Sequence, residues 1–173
     1  KFMKLSVWSS YYFDLSPEKM LCEFKKHGFK YCELSSEHSE MLLERGDAKI
    51  VGEEFGKLAH ENEIEFSQGH LFFWGKRICN PEDRELIKKQ IDLFLAIGIK
   101  NAVLHCDALK DENGVSPSDD IVREENVKAI SELLDYVKGT DLVICLENLI
   151  SCNAANNVKG LMYFIDYFES ENR

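Results

Sequence analysis

The sequence has no long hydrophobic run, no cluster of basic residues and only three prolines, and the first two absences each remove a class of protein. No apolar stretch of its 173 residues approaches the roughly 18 to 20 that a membrane helix needs. The N-terminal KFMKLSVWSS lacks a signal-peptide core and cleavage site, so the chain reads as cytoplasmic, with no membrane partner. Basic residues occur at most in pairs, as at Lys25 and Lys26, and 31 acidic residues against 21 basic ones give a net charge of −10. The electrostatic footprint for a phosphate backbone is missing, and nucleic acid is not an expected partner. Six cysteines are scattered without a CxxC pair and most sit in apolar runs, which points to buried reduced thiols rather than a disulfide framework. No GxSxG elbow supports a hydrolase triad.

What is present is an alternation of short apolar runs with helical patterns, the signature of βαβ units in a parallel sheet. At 45% hydrophobic and 30% charged, residues 1–173 read as a single domain. Strands are predicted at 4–9, 31–35, 64–70, 101–106 and 142–148. Ser16-Pro17, Asn80-Pro81 and Ser116-Pro117 each offer an N-cap side chain before a proline at the first helical position. Gly28, Gly98 and Gly139 follow helical runs and suit left-handed C-terminal caps.

Such units build either an open doubly wound sheet or a (β/α)8 barrel. VWSSYYFDLS follows the first strand where a nucleotide-binding sheet would carry GxGxxG or a phosphate loop, so the barrel gains ground. Counting by twos, Leu5, Val7, Cys32, Leu34, Ala102, Leu104, Ile144 and Leu146 face the helices. The opposite parity aims Trp8, Glu33, His70, His105 and Glu147 at one rim, the C-terminal end of the strands where barrel enzymes keep their reactive groups. By the same parity Cys32 and Cys106 point at helices and Cys145 lies inward, one layer below Glu147. His27, His38 and His60 lie in charge-rich segments and read as surface residues. A closed barrel typically takes about 250 residues, so the expectation is an incomplete (β/α)8 barrel of about five units, with a homo-oligomer as the alternative cover for the open edges.

Glu147 ends an apolar strand, where a carboxylate is costly to desolvate unless it is paired, hydrogen-bonded or bound to a cation. Two imidazoles from neighbouring strands, His70 and His105, with Glu147 from a third make a first shell for a divalent metal, zinc or manganese. Glu33 is read as binding substrate hydroxyls or orienting a histidine. Trp8 and the loop aromatics Phe72, Phe73 and Trp74 are read as walls that exclude water from a substrate pocket.

Together, MKLSVWS, GFKYCELSSEH, FSQGHL, KQIDLFLAIGIKNAVLH and EENVKAISELLDYVKGTDLVICLEN make the chain resemble the sugar phosphate isomerase/epimerase family, the xylose-isomerase-like barrels that include the endonuclease IV group. The resemblance spans essentially the whole chain but only the first five of the family's eight units. It implies that Glu147 is a divalent-metal ligand (Mn, Zn or Mg) and an acid/base at the carbon beside a carbonyl. It also implies that His70 and His105 bind metal or line the pocket, and that a keto sugar or sugar phosphate reacts through an enediol. Further ligands on strands six to eight would lie beyond Arg173. Two alternatives stand beside this reading: an endonuclease IV-like phosphodiesterase, disfavoured by the acidic balance, and a non-catalytic barrel fragment or assembly module. QGHLFF, LHCDA and ENLIS also depart from the endonuclease forms.

Overall fold

Residues 3–72 and 75–171 are described in a computed structural model. Five parallel strands form one sheet: β1 (Ser6–Trp8), β2 (Tyr31–Leu34), β3 (Glu65–His70), β4 (Asn101–His105) and β5 (Val143–Glu147). They lie side by side in chain order, each hydrogen-bonded in parallel to the next. Doubly wound sheets reverse their strand order at a switch point. Here nothing reverses, so every crossover adds its helix to the same face, as in a barrel wall.

The helices are α1 (Pro17–Lys26), α2 (Ser36–Leu43), α3 (Ala48–Glu61), α4 (Pro81–Ile97), α5 (Asp119–Val137) and α6 (Val158–Ser170). Their ends follow local chemistry. Ser16 and Asn80 accept backbone N–H groups of α1 and α4, with Pro17 and Pro81 in the first turn. The third proline departs from expectation, because α5 starts at Asp119 with Ser118 in the capping position and Pro117 outside. Asp119 and Asp120 occupy its first turn, where carboxylates complement the positive end of the helix dipole. Gly28, Gly98 and Gly139 take φ of 77°, 95° and 86° and let the chain leave α1, α4 and α5 through the left-handed region.

One face of the sheet is the core. Cys32, Leu34, Ala102 and Leu104 are buried against Met20, Leu21 and Phe24 of α1, Ile87, Ile91 and Phe94 of α4, and Ile130 and Leu133 of α5. Each fully buried side chain of this size contributes roughly 1.5 to 3 kcal/mol. Leu5 was expected on this face, but it lies outside β1 and is 71% exposed, since no described helix covers that edge. Among the cysteines, Cys32, Cys106 and Cys152 are buried, Cys79 and Cys145 half-buried and Cys22 exposed. No helix among the described residues is long and apolar enough to cross a membrane.

The other face carries Ser6, Trp8, Tyr31, Glu33, Gln68, His70, Asn101, His105, Cys145 and Glu147, all partly or well exposed. A bulge in β3 sets its alternation: Cys32 pairs with Phe66 but Glu33 with Gln68, leaving Ser67 as the extra residue. Phe66 stacks on Phe55 of α3, whereas Ser67 hydrogen-bonds Ser6 on the open face. Past the bulge Gly69 returns to the helix side. A Cβ there would sit 2.5 Å from the ring of Phe94, so only glycine lets α4 approach.

Candidate functional site

The strand ends hold a chain of charged and imidazole groups. Trp8 pairs with Glu33 and Glu33 with Gln68, His70 pairs with Val103 and Val103 with Cys145, and His105 pairs with Glu147. The five rim residues of the sequence reading therefore climb in steps across the sheet, the stagger that strand tilt produces in a barrel. Cys145 lies one such step below Glu147, in the row of His70.

Glu33 fixes the state of His70. Its Oε1 lies 2.9 Å from His70 Nδ1, and its Oε2 accepts a bond of 2.7 Å from Gln68 Nε2. A carboxylate facing Nδ1 places the proton there and leaves Nε2 a lone pair directed away from Glu33. Burial alone pushes the Glu33 carboxyl up, but the bonds from His70 and Gln68 outweigh it and hold it below its ordinary range. With both oxygens engaged by protein donors, Glu33 is placed to orient the histidine.

His70 Nε2 stands 2.9 Å from His105 Nε2, with ring centroids 5.0 Å apart. Glu147 Oε2 lies 3.5 Å from His105 Nε2 and 4.0 Å from His70 Nε2. One ligand atom from each of these three residues falls within 4.8 Å of the others. Burial, and then the neighbouring His70, lower the pKa of His105 against the opposing pull of Glu147, so its imidazole stays neutral to lower pH than a free histidine. The Glu147 side chain is 52% exposed and closes one side of a cleft of about 530 Å3 that Trp8, Glu33, His70 and Cys145 also line. The Trp8 ring lies 6.4 Å from that of His70. Trp74 and Phe73 fall outside the described residues. Phe72 does not line this cleft but an adjoining pocket.

Two buried amides on the helices steady the loops that follow these strands. Gln90 of α4 donates to His70 O at 3.0 Å and accepts from Phe72 N at 2.8 Å. Asn126 of α5 makes the same clamp after β4, accepting from Asp107 N at 2.7 Å and donating to Asp107 O at 2.8 Å. Both are fully buried, and both sit where an apolar residue was due, Gln90 between Ile87 and Ile91 and Asn126 between Val122 and Ala129. That break in helical periodicity is the signal that could have found them.

His38 corrects the sequence reading: it is fully buried, not a surface residue. It shares a helical face with Ser35, Ser39 and Leu42, a spacing of three, four and seven that charge in the segment obscured. Its Nε2 donates to Leu15 O at 3.2 Å, and Nδ1 accepts from Ser9 Oγ at 2.9 Å, while Ser9 Oγ accepts from Ser35 N at 2.8 Å. The network ties the end of β1 to the end of β2 and so holds the segments bearing Trp8 and Glu33 together.

No family profile and no curated protein sequence matches the chain. Solved structures do. The chain superposes on 3-keto-D-glucoside 4-epimerase YcjR from E. coli with a TM-score of 0.75 at 16% identity, covering 97% of this chain and 65% of that one. It superposes on a D-psicose 3-epimerase from Clostridium cellulolyticum H10 with a TM-score of 0.70 at 15% identity, covering 95% and 59%. The IOLI protein, crystallised with a zinc atom, gives 0.70 at 18% identity, covering 96% and 59%. The chain thus spans about three fifths of the length of these structures. With five parallel strands in unreversed order and helices on one face, it has the fold of the xylose-isomerase-like (β/α)8 barrels over that part of their length.

Proposed function

We propose that this chain carries part of the active site of a metal-dependent epimerase or isomerase acting on a keto sugar or sugar phosphate. The observation that supports the reading is the convergence of His70 Nε2, His105 Nε2 and a Glu147 oxygen at the strand ends, with Glu33 fixing the His70 tautomer. The donor chemistry fits a divalent cation: two neutral imidazoles and a carboxylate suit zinc or manganese better than magnesium, which favours all-oxygen shells. That several neighbours are sugar epimerases, and one holds zinc, agrees with the proposal.

A bound divalent cation would polarise the carbonyl and hydroxyl oxygens of the sugar and lower the cost of charge that develops beside the carbonyl. Glu147 turns Oε2 toward the histidines and leaves its other oxygen to take the proton from the adjacent C–H and return it to the resulting enediol. Trp8 covers the cleft beside His70 with an apolar surface that limits water access to the enediol.

The test is proton exchange. Protein supplied with Mn2+ is incubated with 2-ketohexoses in D2O, and deuterium at the carbon beside the carbonyl is followed by NMR. Exchange is expected, with chelation abolishing it and Glu147→Gln slowing it by about 10²- to 10⁴-fold. Exchange that survives both treatments, or none with any keto sugar or keto-sugar phosphate tested, sinks the reading.

A further inference from the structure

A second pocket, of about 230 Å3, is lined by His105, whose Nε2 lies 2.9 Å from the Nε2 of His70 in the cleft. On a chain of net charge −10, its lining gathers Lys76, Arg77 and Lys110. Elsewhere Lys88 and Arg84 are paired with Glu132 and Lys100 with Asp141. Lys76, Arg77 and Lys110 form no ion pair among the described residues, and the Arg77 side chain donates only to the Lys110 carbonyl, at 3.0 Å. Three cations against the single carboxylate of Asp107 leave the concavity net positive, a potential that a dianion neutralises.

The same pocket holds an unused acceptor. Asp107 Oδ1 accepts from Leu109 N, but Asp107 Oδ2 is buried and has no hydrogen-bond partner among the described residues. A buried carboxylate oxygen without a donor costs free energy that a ligand hydroxyl would recover. The Asn126 clamp on both backbone groups of Asp107 holds it in place. Cations and a fixed hydroxyl acceptor in one pocket describe a phosphorylated polyol better than a bare anion or a neutral sugar.

We propose that this pocket seats the phosphate of a sugar phosphate, held by Lys76, Arg77 and Lys110, while Asp107 takes one of its hydroxyls, with the reacting end directed past His105 into the cleft. The proposal rests on the function proposed above and narrows its substrate to the phosphorylated form. Inorganic phosphate is the first probe, titrated calorimetrically into wild-type protein, into Lys76→Gln/Lys110→Gln and into chelator-treated protein. Binding is expected to weaken at least tenfold in the double variant and to persist after chelation, since the cations and not the metal hold the ion. Both lysines are surface-reaching side chains without ion pairs, and unchanged circular dichroism would show that the variant folds. Kinetics with fructose and fructose 6-phosphate then give the second readout, KM rising at least tenfold for the phosphate ester alone. Phosphate binding that vanishes on chelation and ignores the lysines overturns the subsite, as does glucuronate competing as well as phosphate. Lysine-dependent phosphate binding without deuterium exchange on any sugar keeps the subsite and discards the isomerase reading. Exchange on neutral sugars with no phosphate binding does the reverse.

Discussion

At the scale of single residues the site is a relay of orientation, from Gln68 to Glu33 to His70 and so to the point where His105 and Glu147 meet. Replacing Glu33 by Gln substitutes an NH2 for one carboxylate oxygen and sets donor against donor at either His70 or Gln68. We expect Glu33→Gln to weaken divalent-metal binding by about 10- to 100-fold, read in a metal-buffered titration, with the fold intact. The residues at this rim were legible in the sequence because strand parity is a period of two and needs only strand positions to assign. Glu33 could not be assigned a task that way, since a carboxylate at a rim looks the same whether it faces solvent or a histidine. His38 was misread for a related reason: composition describes a segment, whereas burial belongs to a face.

At the scale of elements, the structure depends on a few close fits. Gly69→Ala would drive a Cβ into the buried Phe94 ring, and we expect a loss of about 1 to 3 kcal/mol in chemical denaturation, largely recovered by the second change Phe94→Leu. Gln90→Leu removes the partners of His70 O and Phe72 N at once. Losing the Gln90 amide from those part-buried groups costs up to about 1 to 3 kcal/mol each, and weakened metal binding should accompany the lost stability. The α2 network predicts a pH dependence. Burial lowers the pKa of His38 against the opposing hydrogen bond to Leu15, so the unfolded chain takes up its proton first as pH falls. Its contribution is fully present above the unfolded value of about 6.5 and is lost as pH drops through the folded one. The His105 pKa is lowered in the same direction, so His38→Gln should flatten, without abolishing, the fall in stability below about pH 6.5. The bulge in β3 lay beyond sequence reading, because the extra residue shows only once the register with β2 is known.

At the scale of the molecule, strand order decides what the fold can do. Helices on one face bury the apolar half of the central strands and leave the polar half as an open wall, where function can collect. Strands β2, β3 and β4 have hydrogen-bonded neighbours on both sides, whereas β1 and β5 are edges with three and five residues. Hydrogen exchange should therefore be slowest in the three central strands and fastest in β1, and uniform protection across all five would contradict this layout. The parallel alternation and most caps could be read from the sequence because they are local. The start of α5 could not, since Ser116-Pro117 and Ser118-Asp119 offer competing caps two residues apart. The convergence of His70, His105 and Glu147 is tested most directly by calorimetric titration with Zn2+ and Mn2+. It predicts one divalent ion per chain in the wild type, with binding weakened at least tenfold in each of His70→Ala, His105→Ala and Glu147→Gln. Equal affinity in all four proteins, or no bound ion in the wild type, would contradict it.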